Sequence, residues 1–403
     1  MSSQYWTMAS IKTYPKNYNE AILKSGQNGF KLAKIFGYFP FSFANGKEDD
    51  PRVVKLQPSS ILFHLIFLSL HVIWIIWFIL TIQAGVFSAN YIITDAIGYV
   101  LCGAIINAAM AFSRLQKLWK KQKFETLWNI LTTFHEKLSK ILEQDQYLST
   151  SHRRNLENIK KYMDRRIILF STMCLTGMLV DSFWTVKSGD TDEFYRSVPN
   201  CSLYIFWNFF VLCHSANSML FIFFTQVFHS YFKTLTQCVD ARISNSRCYF
   251  STNKSSEKIC ITAPDEIFVN CILDLYHNLE SIVDAFNEWS FTEYGAEIFL
   301  CAMQIVTSVY YASTDSDTLK SPFIIFYICL IILYGKIFWD YCVQGSNMSA
   351  AGFSIVKSFE NLSVRNLSGE TKNKVLGSLR FYKSTDKTNT SPISFTLNSR
   401  NLK

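Results

Sequence analysis

The residues best suited to chemistry in this sequence are four ionisable side chains inside otherwise apolar stretches. Glu293 and Glu297 are four residues apart, and Lys336 and Asp340 have the same spacing. Side chains at i and i+4 share one face of a helix, so each pair can face a neighbouring helix. Charges inside apolar segments are costly, and they either pair with each other or line a path for ions. The spacing therefore predicts a structural ion pair between Lys336 and Glu293 or Glu297, with an ion path lined by all four residues as the alternative.

Aromatic residues with polar tips, together with one carboxylate, form a second group. Such rings commonly make a belt at a membrane interface, and Asp181 can reach interfacial water from the end of its apolar segment. A cavity lined by rings, hydroxyls and one carboxylate would instead bind a small organic ligand. On this second interpretation the ligand-binding residues are Tyr99, Asp181, Trp184, Tyr204 and Trp207.

Signatures of enzymes and of metal sites are absent from the sequence. It contains no G-x-S-x-G, no H-E-x-x-H and no Gly-rich phosphate loop, and its 11 cysteines show no metal-ligand spacing. His64, His71 and His214 lie inside apolar stretches, where hydrogen bonding between helices is their expected role. We therefore expect no catalytic residue, no metal, no cofactor and no nucleic-acid partner.

The elements that position these residues are long apolar segments. Of the 403 residues, 49% are hydrophobic and only 17% are charged, and a helix of about 20 apolar residues crosses a bilayer. The sequence thus predicts an all-α fold, a polytopic transmembrane helix bundle with six spans. The spans are Ile61–Leu80, Tyr91–Phe112, Ile167–Val186, Cys201–Phe228, Trp289–Tyr311 and Ser321–Val343.

Basic residues give the predicted bundle an orientation. The segment before the first span holds 8 Lys and Arg residues, the stretches 113–166 and 229–288 hold 13 and 5, and the chain after Gln344 holds 9, which makes 35 of the 39. The positive-inside rule assigns such segments to the cytoplasm. We therefore predict a cytoplasmic N-terminal segment at 1–59, a six-span membrane domain at 60–343 and a cytoplasmic C-terminal segment at 344–403.

Short motifs add a family resemblance to this pattern. Phe36–Ser42 reads Gly-Tyr-Phe-Pro-Phe after its first Phe and precedes the first span, and Ala350–Ala351, Phe359–Leu362 and Ser391–Thr396 follow the sixth. With the internal N-terminus, the very short first external loop and the long basic internal loops, these motifs resemble the insect chemoreceptor superfamily, and most of all its gustatory receptors. The resemblance extends over almost the whole chain.

The resemblance implies a ligand-gated cation channel in the plasma membrane that senses a small-molecule tastant. It implies contact with membrane lipid and a homo- or hetero-tetramer with other chemoreceptor subunits, in which Phe268–Phe286 contributes to the intersubunit anchor. Family members have a seventh span that lines the pore, and this sequence stops at Lys403, where that span would begin. We therefore expect six spans, a missing seventh span and a chain that does not conduct by itself.

Two other classes of membrane protein remain open. Scattered carboxylates within spans also occur in secondary transporters, although the sequence has no repeated half and no pair of Gly- or Pro-interrupted spans. A G-protein-coupled receptor fits less well, because its N-terminus would be external and the distribution of basic residues favours an internal one.

Overall fold

The computed structural model describes residues 18–45, 54–58, 61–83, 106–143, 145–187, 213–241, 263–314 and 322–361, with 369–371 and 373. Tyr99, Tyr204, Trp207 and the motif at Ser391–Thr396 lie outside these residues. Within them the chain is helical except for one short hairpin and the turns. The all-α prediction is therefore confirmed for the described part of the chain, with the hairpin as an addition.

The N-terminal segment contains structure that the sequence patterns did not predict. Helix α1 covers Tyr18–Ile35, and strands β1, Phe41–Asn45, and β2, Val54–Pro58, pair antiparallel with Phe41 opposite Pro58. Gly37 separates the helix from the hairpin with φ of +72°, a conformation that a residue with a Cβ rarely adopts. A Cβ there would also lie 3.1 Å from the Cα of His64. Only glycine lets this turn rest against the start of the next helix.

Helix α2, Ile61–Gln83, carries no charge. Its buried side chains His64, Phe67, His71 and Trp74 recur every three or four residues and form one narrow stripe. Its other faces expose large aliphatic side chains, namely Leu62, Leu65, Ile66, Val72, Ile73 and Ile76. A helix that buries its histidines and exposes its aliphatic residues suits a hydrocarbon surrounding rather than water.

The remaining helices continue across the predicted boundaries between loops and spans. Helix α3 covers Ile106–Trp119, α4 Lys121–Leu142, α5 Gln146–Lys187, α6 213–241, α7 Ala263–Thr314 and α8 Pro322–Asn361. The third predicted span is thus the second half of α5, the fifth is the second half of α7, and the sixth is the first half of α8. Helices α7 and α8 pack along each other, and α1 packs on α5.

An aromatic cluster fills the centre of the bundle. Rings from α1, α4, α6 and the motif at Phe36–Ser42 contact one another, with centroids 5.1–6.5 Å apart. They are Phe30, Phe39, Phe124, Trp128 and Phe224. Phe286 and Trp289 of α7 also contact Phe224, and Trp289 contacts Phe124. Tilted and edge-on rings at such distances are favourable beyond the area they bury. The N-terminal segment is thereby fixed to the bundle.

Length and hydropathy together single out one membrane-span candidate among the described residues. It lies at Tyr327–Phe359, with a mean hydropathy of 1.2 and 39% of its most apolar window buried, and a shorter apolar stretch covers His64–Ile76. Exposed Phe299 and Val306 on α7 and Ile332 on α8 extend the apolar outer surface. The number of spans stays a prediction.

Candidate functional site

A buried polar network lies where the motif at Phe36–Ser42 meets α2 and α3. The guanidinium of Arg114, on α3, donates to the carbonyl oxygen of Phe36 from Nε at 3.2 Å and from Nη2 at 3.1 Å. Its Cζ also stands 4.2 Å from the ring centroid of Tyr38. Arg114 and Tyr38 are both fully buried, and a cation–π contact is strongest when it is desolvated. The motif therefore holds the buried guanidinium by its backbone and by its ring.

Two histidines of α2 continue the network toward α3. His71 hydrogen-bonds to Arg114 through Nε2 and to the Oδ1 of Asn107 through Nδ1, at 2.9 Å for the second bond. The Nδ1 of His64 lies 2.7 Å from the carbonyl oxygen of Gly37. His71 therefore bonds to another helix, as predicted, whereas His64 bonds to the turn at Gly37 instead.

Glu293, on α7, is paired with α3 and not with α8. Its carboxylate lies 2.9 Å from the Nζ of Lys117 and accepts a hydrogen bond of 2.6 Å from the hydroxyl of Ser113. The Nζ of Lys117 also stands 3.9 Å from the ring centroid of Trp289 and 5.1 Å from that of Tyr294. Buried ions require a partner and hydrogen bonds to offset the loss of water. Lys117 is the charged partner of Glu293, and Ser113 supplies a hydrogen bond to the carboxylate.

Glu297, one turn further along α7, is paired with α6. It is hydrogen-bonded to Nδ1 of His214 and accepts a hydrogen bond of 3.0 Å from Nδ2 of Asn217. Asn217 also donates to the hydroxyl of Ser113 at 3.4 Å, which is bonded to Glu293. The two carboxylates are thus connected through one serine and one asparagine, and α3, α6 and α7 share a single network.

The network balances its charges. By formal charge, the two cations of α3, Arg114 and Lys117, equal the two carboxylates of α7, Glu293 and Glu297, and none of the four side chains is more than slightly exposed. Removing one member leaves a charge in an apolar surrounding, which is far more costly than never having buried the pair.

The predicted ion pair between Lys336 and Glu293 or Glu297 is wrong. The Nζ of Lys336 lies 2.9 Å from Asp340, one turn along its own helix α8, and Lys336 keeps 39% of its side chain exposed. Asp340 is in turn buried against Arg166 of α5, with which it forms a second ion pair. Lys117 occupies the position beside Glu293 because α3 ends between α7 and the motif, whereas Lys336 faces outward. The four residues therefore belong to two separate clusters, with Lys336 at the exposed side of the second.

The second cluster joins α5, α6 and α8. Arg166 donates to the hydroxyl of Tyr162 at 3.1 Å, Gln344 donates to the same hydroxyl at 3.3 Å, and Gln226 of α6 donates to Gln344 at 2.5 Å. Asp340 receives both Arg166 and Lys336. The cluster therefore ties the predicted fourth and sixth spans to α5.

Only two of the five predicted ligand-binding residues lie within the described part of the chain. Asp181 and Trp184 belong to the last turns of α5, and only their backbone is described. Tyr99, Tyr204 and Trp207 lie outside the described residues. Their role in binding a ligand stays a prediction.

Arg114 and Lys117 are the charged members of the buried network that the sequence analysis did not single out. Both were counted among the 13 basic residues of 113–166 and assigned to a solvated loop. One signal was present in the sequence: they directly follow the apolar segment that ends at Phe112, and their i, i+3 spacing gives them a common helix face. Basic side chains at the end of an apolar segment can point into the helix bundle as well as toward solvent.

The fold of this chain is similar to that of a protein of known structure. No protein-family model matches the sequence, and no curated protein matches it significantly. The insect olfactory receptor OR5 from Machilis hrabei, whose structure was determined in complex with eugenol, has a similar fold, with a TM-score of 0.62 at 9% sequence identity over 90% of each chain. The chain therefore shares the fold of this insect olfactory receptor along nine-tenths of its length.

Proposed function

We propose that this chain is a subunit of a chemosensory receptor channel that opens when a small organic molecule binds. The observation that carries the proposal is the fold that it shares with the Machilis receptor along 90% of both chains. The aliphatic outer surface of α2 supports a place in the membrane. The absence of catalytic motifs from the sequence favours a receptor over an enzyme.

The buried network gives the proposal a physical route from ligand to channel. Helices α3, α6 and α7 meet through Ser113, Asn217 and the two carboxylates Glu293 and Glu297. Such a network has few alternative arrangements that leave no charge unpaired, so it favours discrete packings over gradual deformation. A ligand that binds one packing more tightly shifts the population toward it. We infer that the network distinguishes the closed packing from the open one.

The proposal extends to the type of receptor, its assembly and the place where the ligand binds. The motif at Phe36–Ser42 favours a gustatory receptor that senses a tastant, in a homo- or hetero-tetramer with other chemoreceptor subunits. The ligand would bind near Asp181 and Trp184, at the end of α5 opposite to its basic half. A secondary transporter is the second candidate, because buried carboxylates paired with His and Lys also occur in ion-coupled carriers.

Recording from cultured cells that express the chain, alone and together with other chemoreceptor subunits, tests the function. Sugars, bitter alkaloids and volatile phenols are applied in turn. At least one class should evoke a cation current with unitary steps when the other subunits are present, whereas the chain alone should give none. Glu297→Gln should shift the ligand concentration for half-maximal current, whereas Glu288→Gln, on the exposed face of the same helix, should leave it unchanged. Saturable uptake of a labelled solute, driven by an ion gradient and without unitary steps, would show a transporter instead.

A further inference from the structure

The exposed face of α5 changes from charged to apolar within one helical turn. Its exposed positions include Lys161 and Arg165, and the next exposed side chains on the helix are Ile168 and Leu169. Ile168 has 66% of its surface exposed. Residues at i and i+4 lie above one another on a helix, so Lys161, Arg165 and Leu169 form one continuous stripe. Such a stripe marks the level at which water gives way to hydrocarbon.

Helix α1 makes the same change beside it. Its exposed residues include Lys24 and Lys31, and the helix ends with Ile35 at 55% exposure. Asn28 of the same exposed face donates a hydrogen bond of 2.7 Å to Asp164, the neighbour of Arg165. The two basic-to-apolar boundaries therefore belong to one surface on either side of the contact between α1 and α5.

The cations of this surface have no protein counter-ion among the residues that the structure describes. No carboxylate lies within 4.0 Å of the charged nitrogens of Lys31, Lys161 or Arg165 there, whereas Arg153, further from the boundary, is paired with Glu157 at 3.3 Å. The nearby carboxylate of Asp164 accepts from Asn28. Three cations next to exposed aliphatic side chains match an anion that carries hydrocarbon chains.

We propose that Lys31, Lys161 and Arg165 bind the headgroup of an anionic phospholipid whose acyl chains lie on Ile35, Ile168 and Leu169. Arginine supplies paired donors to phosphate oxygens and lysine supplies a compact charge. A basic residue near an anionic membrane surface contributes roughly a fivefold gain in binding. The aliphatic neighbours select a lipid over a free phosphate. The site requires only that the bundle lies in a bilayer, so it stands apart from the proposed channel function.

Native mass spectrometry of the purified full-length chain tests the site with three probes: dioctanoyl phosphatidylserine, dioctanoyl phosphatidylcholine and glycerophosphoserine, which has no acyl chains. The test variant combines Lys31→Gln, Lys161→Gln and Arg165→Gln. A matched control removes two lysines and one arginine elsewhere on the exposed surface, through Lys137→Gln, Lys233→Gln and Arg154→Gln. The unfolding temperature of each variant verifies that it is folded, and the three single substitutions replace the test variant if it is not.

The wild-type chain and the control should bind phosphatidylserine in preference to phosphatidylcholine, with affinities that agree within roughly twofold. The test variant should bind phosphatidylserine on the order of a hundredfold more weakly, or roughly fivefold for each single substitution, and glycerophosphoserine should not compete. Equal losses in the test and control variants would assign the effect to overall charge. Equal binding of the two lipids would exclude a site that selects an anionic headgroup, and full competition by glycerophosphoserine would exclude a contribution from the acyl chains.

Discussion

Lys117 and Lys336 carry the same charge in very different surroundings, and the difference decides what each contributes. Lys117 has 2% of its side chain exposed and lies between the carboxylate of Glu293 and the ring of Trp289. Lys336 has 39% exposed and reaches an aspartate that is also paired with Arg166. Loss of a buried partner leaves the remaining charge uncompensated, whereas loss of a partly exposed one is largely compensated by water.

Replacing these two lysines should therefore have unequal effects. Lys117→Met leaves Glu293 buried with only the Ser113 hydroxyl, and we expect it to destabilise the folded chain by about 3–5 kcal/mol. Lys336→Met should cost less than about 1 kcal/mol, because Asp340 keeps Arg166. Thermal unfolding of the purified chain and surface biotinylation in cells measure both effects. Adding Glu293→Gln to Lys117→Met should recover part of the loss, and equal effects of the two lysine substitutions would contradict the pairing.

At the residue scale, the sequence was informative about which residues are unusual and uninformative about their partners. Glu293 and Glu297 stood out because they interrupt an apolar segment, and they do form buried pairs. Their partners Lys117 and His214 come from helices 176 and 83 residues away in the chain. The choice of Lys336 followed from its i, i+4 spacing and its place in the adjacent predicted span. It was wrong because local spacing carries no information about which distant helix packs against which face.

Helix α1 shows at the element scale how small residues set the distance between helices. A Cβ on Gly26 would lie 2.5–3.0 Å from three ring atoms of Phe223 on α6, and one on Gly29 would lie 2.5 Å from the terminal methyl of Met163 on α5. The Phe223 ring is packed against Phe30 and Phe224, whereas a methionine side chain has three flexible torsions and moves at little cost. A Cβ on Gly26 would therefore meet a closely packed ring, whereas one on Gly29 would meet a flexible side chain.

Gly26→Ala should destabilise the fold more than Gly29→Ala does. Both substitutions improve helix propensity by about 1 kcal/mol, but overpacking against a fixed ring costs about 1–3 kcal/mol. We expect a net loss for Gly26→Ala and a change near zero for Gly29→Ala. Unfolding temperatures of the two purified variants, compared at the same detergent concentration, measure the difference. If Gly29→Ala proves the more damaging, α1 is packed more tightly on α5 than on α6.

The sequence predicted helices at the element scale better than it predicted their ends. Uniform apolar composition indicated α2 well, because a span has to satisfy its own backbone in lipid and only a helix does so in one segment. Composition failed where a helix runs from a charged half into an apolar half, as in α5 and α7, which were divided into a loop and a span. Helix α1 was missed because its buried face is a few apolar residues and glycines rather than a long run.

Across the whole molecule, exposed basic residues and exposed apolar residues follow each other in the same order along the chain. The exposed basic residues of α1 and α5 precede the exposed aliphatic residues in both helices, and 35 of the 39 Lys and Arg residues fall in the segments predicted to be cytoplasmic. The shared fold with the Machilis receptor was foreseeable only through short motifs, since 9% identity leaves little else to compare. The predicted orientation places these basic segments on the cytoplasmic side of the membrane.

An epitope tag placed before Tyr5 should be reached by antibody only after cells are permeabilised. The reason is the positive-inside rule, because moving the basic N-terminal segment and the 13 basic residues of 113–166 across the membrane opposes the usual bias. A tag inserted after Asp190, in a segment with few basic residues between the third and fourth predicted spans, serves as the matched control and should stain on intact cells. If both tags stain on intact cells, an even number of crossings separates them and the six-span assignment fails. If only the N-terminal tag does, the bundle is inverted, and the G-protein-coupled alternative becomes the better interpretation.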